Sequence, residues 1–431
     1  MNTKQVLRGL SIFMVFAMAS CGTDSSKIIP TDEDIETVYV DPGQIEKEEG
    51  CFHTLDQLGY IKSTYDTALM FADGTTEMSN PEGNDIHFEK TDGLLLQVSR
   101  FEDFHEDEST PYLDTRLFDI TNHEKATIKN LLSDTTYYWR TFNIKDTDST
   151  PSETGSFKTC NHLPRFIDIE DQSTSKYVTN VRDMGGYETY LEGYTKVKQG
   201  LIYRSGRMSG STSAPRDENT AWQKPVTDTG KPAYLMNDAG YNMLVKTLGM
   251  KGEIDLRSNI CKDNEDGGAY YVENGNREKY KDIIPGITCI DPGIVAEKAA
   301  LLQDLDNIGL DSGWKQVKQV FEFYAQPQYY PNFIHCYIGT DRTGCMCYLL
   351  ECLLGMKNED MYKDYLWSNF GLINGTRNLD AIKTYERVLK GYGKATMAEN
   401  CEALLTSSKV GITKEQIQII RDTLLEKAAA E

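Results

Sequence analysis

The stretch PNFIHCYIGTDRTGCMCYLLECLLGM, residues 331–356, constrains the fold of this chain more than any other. Its first part, residues 331–336, is a short apolar run with the pattern of a buried strand. Its last part, residues 342–356, is apolar on almost every side, and a helix of that kind must be buried. A glycine-containing loop joins the two. A strand that leads into a buried helix through a short loop is typical of an α/β domain with a largely parallel sheet.

The same alternation continues from about residue 165 to residue 431. The patterns predict strands over residues 200–205, 252–258 and 286–291 and helices over residues 237–250, 311–325, 358–370 and 412–428. Residues 211–232 and 262–280 interrupt the alternation and are interpreted as surface insertions. We therefore expect one α/β domain over residues 165–431, with a central sheet flanked by helices.

The chain begins with a segment that we interpret as a targeting signal rather than as part of the fold. Residues 1–20 combine two basic residues with a short apolar run, too short to span a bilayer. Residues 18–21 resemble the bacterial lipobox, in which the cysteine, here Cys21, is lipid-modified. The acidic residues 21–50 are typical of a solvated tether. We expect a lipoprotein anchored through Cys21 outside the cytoplasm, in the periplasm or on the cell surface; a plain secretory signal is the alternative.

Residues 51–160 have the pattern of an all-β module. Polar and apolar side chains alternate through ATIKNLLSDTTYYWRTFNIKD, with Tyr137 at an inward position followed by Trp139. This resembles the tyrosine corner of fibronectin type III and immunoglobulin-like sandwiches, with Ser133 where proline is common. We expect this module to act as a spacer or as a platform that binds a surface protein or glycan.

Charge and metal-ligand patterns exclude several kinds of function. The net charge of −21 opposes binding to nucleic acid and adsorption to anionic lipid, which carry the same sign. An acidic protein that handles an anion must do so in a local electropositive pocket. The six histidines are scattered, and neither HxxxH nor CxxC occurs, so we expect no metal and no cofactor.

The ten cysteines fall into separate groups. Cys345, Cys347 and Cys352 lie in the apolar run after the loop and are expected to be buried thiols. In an oxidising compartment, either Cys51 with Cys160 or Cys261 with Cys289 could form a disulfide, but connectivity does not follow from sequence.

The loop between the strand at 331–336 and the following helix has the features of an anion site. Backbone N–H groups at a helix N-terminus lack helical partners, and the helix dipole adds partial positive charge. Gly339 allows successive amides to converge, and the guanidinium of Arg342 matches two oxygens of a phosphoryl group. The predicted phosphate-binding residues are Tyr337, Ile338, Gly339, Thr340, Asp341 and Arg342.

Cys336, at the start of this loop, is the candidate nucleophile. Amides, dipole and guanidinium together favour the thiolate over the thiol. A thiolate there could attack phosphorus and form a phosphocysteine that water hydrolyses. Thr343, directly after the arginine, could donate its hydroxyl to the sulfur and ease its departure.

The leaving oxygen needs a proton from a general acid. Asp341 lies inside the loop and is the nearest candidate. Asp291, after the strand predicted at 286–291, and Asp255, at the end of the strand predicted at 252–258, are the alternatives.

HCYIGTDRTG (residues 335–344) resembles the signature loop of cysteine-dependent protein tyrosine phosphatases. NVRDMGGY, GLIYRSGRMS, LGMKGEIDLRS, EDMYKDYLWSN and GITKEQIQIIRDTLLE also resemble segments of the bacterial tyrosine/serine phosphatase subfamily, in the family's order. The resemblance implies Cys336 as nucleophile, Arg342 as phosphate clamp and Asp341 as acid. Members often have lysine where Thr340 stands, and that lysine helps bind extra phosphates of inositol lipids.

The sequence therefore predicts a phosphoric monoester hydrolase that acts on phosphotyrosine proteins or small phosphomonoesters. One alternative is an inositol phosphate or phosphoinositide phosphatase, which the absence of lysine at position 340 disfavours. The other is a catalytically silent phosphatase fold whose β module supplies the function, which the intact Cys336, Asp341 and Arg342 disfavour.

Overall fold

The structure is a computed structural model. It describes residues 35–40, 60–61, 83–90, 94–105, 115–143, 151–169, 178–206, 240, 242–256, 288–290, 311–336, 338–371, 373 and 377–429. Several sequence predictions lie outside these ranges: the signal segment, lipidation at Cys21, both surface insertions, and the disulfide partners Cys51 and Cys261.

Strands and helices alternate in the second half of the described chain and strands dominate the first. The strands are β1 (Ile35–Thr37), β2 (Asn84–His87), β3 (Leu94–Ser99), β4 (Thr115–Asp119), β5 (Lys125–Ile128), β6 (Thr136–Asn143), β7 (Glu153–Lys158), β8 (Arg182–Asp183), β9 (Tyr194–Val197), β10 (Ile202–Ser205), β11 (Gly252–Asp255), β12 (Thr288–Ile290), β13 (Asn332–His335) and β14 (Leu425–Lys427). The helices are α1 (Asp311–Tyr324), α2 (Arg342–Leu353), α3 (Asn358–Leu366), α4 (Asp380–Lys390), α5 (Met397–Thr406) and α6 (Lys414–Leu424).

The central sheet has the order β12-β11-β13-β10-β8. Its first four strands run parallel, and β8 runs antiparallel to β10. The predicted α/β architecture with a largely parallel sheet is therefore confirmed. β13 lies between β10 and β11, and all four of its residues are buried. The carboxyl ends of parallel strands are where such sheets place their ligand sites, and the loop of interest leaves β13 at that edge.

Helix α2 is the centre of the helical layer. Every residue from Thr343 to Leu353 is buried, because α2 is surrounded by α3, α4, α5 and the sheet. The expected buried thiols are found here: Cys345, Cys347 and Cys352 are each inaccessible to solvent. None of the described helices is long and apolar enough to cross a bilayer.

The first half of the described chain forms two small sheets, with the orders β1-β4-β3-β6-β7 and β2-β5. Tyr137 is 2% exposed, and its hydroxyl oxygen accepts a hydrogen bond from the backbone N–H of Leu132 at 2.9 Å. This is the kind of contact that a tyrosine corner makes. The assignment to the fibronectin type III or immunoglobulin-like class stays a prediction.

Three boundaries differ from the sequence predictions. Residues 35–37, predicted as part of a solvated tether, form β1 and pair in parallel with β4. The Glu36 carboxylate also binds the buried Arg116 guanidinium of β4 at 2.6 Å. Tyr60, placed in the β module, packs against Trp367 of the α/β core. The helix predicted to residue 428 ends at Leu424, and the chain continues as β14, which pairs with β9.

The β region contacts the α/β domain through residues 129–133. The Asn130 side chain donates to the Asp168 carbonyl and accepts from the Asp168 backbone N–H. Lys129 forms an ion pair with the Asp168 carboxylate at 2.7 Å. Ser133 exchanges backbone hydrogen bonds with the Gln199 side chain. The described part of the β region is thus attached to the domain that carries the site.

Candidate active site

Cys336 follows the last residue of β13 directly and is 2% exposed. Its position at the carboxyl edge of the sheet places it before the N-terminus of α2, which begins at Arg342. The strand, loop and helix thus adopt the arrangement that the sequence predicts. Tyr337 lies outside the described residues, so its predicted phosphate contact stays a prediction.

The charge environment of Cys336 differs from that of the other buried cysteines. Burial raises the pKa of the Cys345, Cys352 and Cys401 thiols. Burial also acts to raise the pKa of Cys336, but the Arg342 guanidinium and the hydroxyl and backbone N–H of Thr343 outweigh it, so this pKa is lowered. The geometry therefore favours the reactive thiolate at Cys336 and the inert thiol at the others.

Gly339 fixes the shape of the loop. Its φ is 75°, a left-handed conformation that costs side-chain-bearing residues more than glycine. A Cβ at this position would lie 2.3 Å from the Ser205 carbonyl oxygen at the end of β10. The loop can therefore lie directly against the sheet edge only with glycine here.

Side chains behind the loop hold its carbonyl groups. The Asn180 amide donates to the carbonyls of Ile338 and Gly339, at 3.3 and 3.0 Å, and Arg204 donates to the Gly339 carbonyl at 3.0 Å. In a trans peptide the C=O and the following N–H point in opposite directions. The N–H groups of Gly339 and Thr340 therefore point away from Asn180 and Arg204, which is the orientation that an anion-binding loop needs.

Asp364 connects the arginines that support this loop. Its carboxylate accepts hydrogen bonds from Arg182 at 2.9 Å and from Arg204, and all three side chains are at most 1% exposed. Arg182 also binds the Asn180 side-chain oxygen. Burial acts to raise the pKa of the Asp364 carboxyl, but Arg182 and Arg204 outweigh it and hold that pKa well below its usual range. A buried ion cluster thus orients both groups that contact the loop carbonyls.

Arg342 and Thr343 lie at the first turn of α2. The Arg342 guanidinium donates to the Leu256 carbonyl, just after β11, at 3.2 Å. The Thr343 hydroxyl is buried and, among the described residues, has no hydrogen-bond partner. It is therefore available to the Cys336 sulfur, whose pKa it helps to lower.

Asp341, the favoured acid, is paired with an arginine that sequence reasoning did not single out. Arg377 donates to both Asp341 carboxylate oxygens, at 3.2 and 3.1 Å, and to the Thr340 hydroxyl at 3.0 Å. Asp341 is partly exposed and close enough to influence the charge of Cys336. The loop therefore carries its carboxylate at the pocket rim, with Arg377 fixing its orientation.

Of the two alternative acids, only Asp255 is described, so the assignment of Asp291 stays a prediction. Asp291 lies outside the described residues. Asp255 is 1% exposed, and its carboxylate lies 4.0 Å from the Nδ1 of His335. Burial beside His335 makes Asp255 part of the support below Cys336.

Glu253, Asp255 and His335 bring ligand-type atoms within 4.8 Å of one another. The imidazole is already engaged, however. Its Nε2 lies 2.8 Å from a Glu253 oxygen and its Nδ1 lies 3.2 Å from the Cys336 carbonyl oxygen. These contacts join β11 to the residue that precedes Cys336.

Sequence reasoning missed the roles of Asn180, Arg182, Arg204, Asp364 and Arg377, although most of them lie in segments that carry the family resemblance. The sequence signal for these residues is a charged side chain within an otherwise apolar segment. Arg204 stands inside a buried strand, and Asp364 stands among buried residues of α3. Charged residues are rarely fully buried without a partner.

Comparisons with known proteins agree with this geometry. The sequence profile described as "Tyrosine phosphatase family" matches residues 174–225 and 230–426, more than half of the chain. The search of curated proteins gives no match.

Two solved structures are similar to the chain at low identity. The core catalytic domain of the PP-IP phosphatase SIW14 from S. cerevisiae, in complex with citrate, is 15% identical, with 44% of this chain and 82% of that chain covered and a TM-score of 0.23. A structure of the Siw14 catalytic core is 14% identical, with 46% and 91% covered and a TM-score of 0.23. TM-scores of this size do not indicate a shared overall arrangement, so the assignment rests on the sequence profile. The chain belongs to the tyrosine phosphatase family.

Proposed function

We propose that this cysteine-based phosphatase hydrolyses phosphotyrosine in proteins through a phosphocysteine on Cys336. The observation that carries the proposal is the position of the buried Cys336 directly after β13 and before the N-terminus of the buried helix α2. Arg342 and Thr343 at that N-terminus act to lower the pKa of its thiol. A thiolate prepared in this way is a nucleophile for phosphorus. At Cys345, Cys347, Cys352 and Cys401, burial outweighs any nearby cation and the pKa of the thiol is raised.

In the first step the Cys336 thiolate attacks phosphorus, the S–P bond forms, and the bond from phosphorus to the leaving oxygen breaks. Arg342 and the loop amides of Gly339 and Thr340 bind the equatorial oxygens, where charge is concentrated in the transition state. In the second step water attacks phosphorus, the Asp341 carboxylate takes the proton of that water, and the S–P bond breaks as the thiolate leaves. The Thr343 hydroxyl stabilises the departing sulfur through a hydrogen bond.

Asp341 is the proposed general acid. It lies at the rim, and Arg377 holds its orientation. An acid matters most where the leaving group is a poor one. Asp341→Asn should therefore lower kcat for phenyl phosphate about 10²–10³-fold, and much less for an ester of a strongly acidic phenol.

Measuring kcat for the same two esters with an Asp291→Asn variant distinguishes Asp341 from Asp291 as the general acid. If Asp291→Asn shows the leaving-group dependence and Asp341→Asn does not, the acid has been assigned to the wrong residue.

The second candidate substrate is an inositol phosphate. Arg377 favours it, because its guanidinium donates to the Thr340 hydroxyl and so adds a second cation to the loop that carries Arg342. A substrate with several phosphates would compete with Asp341 for that guanidinium.

A substrate panel tests the choice between phosphotyrosine and an inositol phosphate as the substrate. A phosphotyrosine peptide and a set of inositol phosphates are compared at matched concentrations on the full chain and on Arg377→Met. We expect kcat/KM to be at least about tenfold higher for the peptide, with both substrates affected equally by Arg377→Met. Higher kcat/KM for an inositol phosphate, lost selectively in Arg377→Met, would establish the second candidate instead.

We also propose that lipid on Cys21 anchors the protein outside the cytoplasm and that the β region binds a surface protein or glycan. The sequence pattern of residues 1–21 supports the first proposal. Metabolic labelling with a palmitate analogue tests it, and Cys21→Ala should abolish the label.

A further inference from the structure

We propose that Tyr60 is a positioning residue for the loop that follows Cys336. This deepens the proposed function and rests on it, because it concerns how the loop keeps the shape that binds a phosphoryl group. Tyr60 lies upstream of residue 174, where the match to the family profile begins. The family resemblance therefore assigns it no role.

The Tyr60 ring is buried in an aromatic cluster of the α/β domain and is 1% exposed. It meets the Trp367 ring edge to face, with 4.6 Å between the ring centroids, and its centroid lies 5.2 Å from that of Phe370. The Phe166 ring lies edge to face against Trp367 as well, at 5.4 Å between centroids. Trp367 and Phe370 are the first and last residues of a short 3₁₀ helix that follows α3. The Tyr60 ring thus covers one side of that 3₁₀ helix.

Hydrogen bonds hold Tyr60 against α3, next to the buried ion cluster. Its hydroxyl donates to the Lys363 carbonyl at 3.1 Å, and the Lys363 ammonium donates to the Ile61 carbonyl at 2.9 Å. Asp364 follows Lys363 directly. Burial and the Asp364 carboxylate raise the pKa of the Tyr60 hydroxyl, so it stays a neutral donor. Residues 60–61 are thus fixed on the domain both by packing and by hydrogen bonds.

The other side of the 3₁₀ helix contacts the groups that support the loop. The Ser368 hydroxyl oxygen accepts from the Asn180 amide at 3.3 Å and from Arg182 at 3.4 Å. The Asn369 side chain donates to the Arg377 carbonyl at 2.9 Å and accepts from the Arg377 backbone N–H at 2.7 Å. The Asn180 amide also holds two loop carbonyls, and the Arg377 guanidinium holds the proposed general acid. One turn of backbone therefore reaches both supports of the loop.

Packing couples the Tyr60 ring to these contacts. In a 3₁₀ helix the side chains at positions i and i+3 lie on one side, as Trp367 and Phe370 do, while Ser368 and Asn369 contact the supports of the loop. Removing the Tyr60 ring leaves a cavity beside Trp367 and Phe370, and the surrounding structure relaxes partially into such a cavity. Movement of the 3₁₀ helix toward the cavity lengthens the hydrogen bonds of Ser368 and Asn369. The loop then loses the orientation of its amides and of its general acid.

Tyr60→Ala removes the ring and tests this coupling. We expect the dissociation constant for inorganic phosphate to rise about tenfold and kcat/KM for phenyl phosphate to fall at least about tenfold, because amides and acid act only in a fixed geometry. Tyr60→Phe keeps the ring and loses one hydrogen bond, so both values should stay within about twofold of wild type. Isothermal titration with phosphate and steady-state kinetics measure them on the full chain, at a temperature where circular dichroism shows each variant folded.

Phe323→Ala is the matched control. Phe323 is 4% exposed, and its ring stacks on that of Tyr329 with 4.7 Å between centroids. It lies beside Gly252, the first residue of β11, and so at the edge of the sheet opposite the loop. This variant also creates a cavity in the core and should be less stable than wild type. When folded, it should bind phosphate within about twofold of the wild-type affinity, because distant sites act independently.

Hydrogen exchange on the unmodified chain tests the same coupling without any variant. Coupling between two sites is reciprocal, so phosphate bound at the loop should stabilise the packing of Tyr60. The peptide that contains Tyr60 should therefore exchange its amide hydrogens about tenfold more slowly at saturating phosphate than without it. Mass spectrometry after timed exchange measures the difference.

The inference would be overturned by a folded Tyr60→Ala with wild-type phosphate affinity, by an equal loss of affinity in Tyr60→Phe or Phe323→Ala, or by exchange at Tyr60 that phosphate leaves unchanged. Phosphate binding and hydrogen exchange need no turnover. If both depend on Tyr60 as expected while phosphotyrosine is not hydrolysed, the proposed function fails and this inference stands.

Discussion

Cys336→Ser should abolish turnover of phenyl phosphate, with kcat at least about 10⁴-fold lower, while inorganic phosphate still binds. The loss is expected because the hydroxyl of serine is not ionised in this environment, so no nucleophile is available for phosphorus. Binding should survive because Arg342 and the loop amides do not depend on the sulfur. Steady-state kinetics and isothermal titration with phosphate measure the two effects separately.

Cys401→Ser is the matched control. Cys401 is equally buried, and its thiol donates to the Leu349 carbonyl at 3.1 Å, a hydrogen bond that serine can replace. Its kcat should stay within about threefold of wild type, because the residue lies outside the loop. If Cys336→Ser retained more than a small fraction of the activity, the nucleophile would have to be another group.

Asp364→Asn should destabilise the protein by about 3–5 kcal/mol and lower kcat/KM by at least about 100-fold. The change removes the carboxylate charge that pairs with Arg182 and Arg204 in the buried cluster. Arg204 would then no longer be held against the Gly339 carbonyl, so the loop amides would lose their fixed direction. Urea unfolding followed by circular dichroism gives the stability, and kinetics at a temperature where the variant stays folded gives the activity.

The contribution of Asp364 should also depend on pH with a definite sign. Its pKa in the folded state is depressed, so its stabilising effect is fully present above the pKa of an unfolded aspartate, near ~4. The effect is lost as the pH falls below that value toward the folded-state pKa. The stability difference between wild type and Asp364→Asn should therefore shrink in acid.

Asp422→Asn provides the surface control for this experiment. Asp422 pairs with Lys427 at 3.1 Å, with both side chains substantially exposed. Exposed pairs contribute about 0–1 kcal/mol, so this variant should unfold close to wild type. If Asp364→Asn lowered the free energy of unfolding no more than Asp422→Asn does, the buried cluster would not support the loop.

Local patterns are sufficient to predict the catalytic loop and the elements on either side of it. The apolar run at 331–336 predicts a buried strand. The segment that follows is apolar on all sides and predicts a buried helix. Gly339 and Arg342 are recognisable because the loop's chemistry requires these residue types at this spacing. The strands at 202–205 and 252–255 follow from equally local patterns.

The support behind the loop could not be predicted in the same way, because it depends on contacts between distant segments. Arg182 and Asp364 are separated by 182 positions, and Arg204 and Asp364 by 160. No periodicity links residues so far apart. The pairing of Arg377 with Asp341 and of Glu253 with His335 likewise arises only from the tertiary fold.

The N-terminal boundary was missed for a related reason. An acidic composition indicates solvation, but β1 pairs in parallel with β4, and Glu36 binds Arg116, which lies 80 positions later. The end of α6 was placed too late because its helical pattern continues past Leu424, where pairing with β9 overrides local preference.

Detection of the phosphocysteine is the most direct test of the central claim. The full chain is mixed with excess phenyl phosphate, quenched in acid within milliseconds, digested and analysed by mass spectrometry. The account predicts one phosphoryl group on the peptide that contains Cys336, increased in amount in Thr343→Ala because departure of the sulfur is slowed. Turnover with no phosphoryl group on Cys336, or with the group on a different residue, would contradict it.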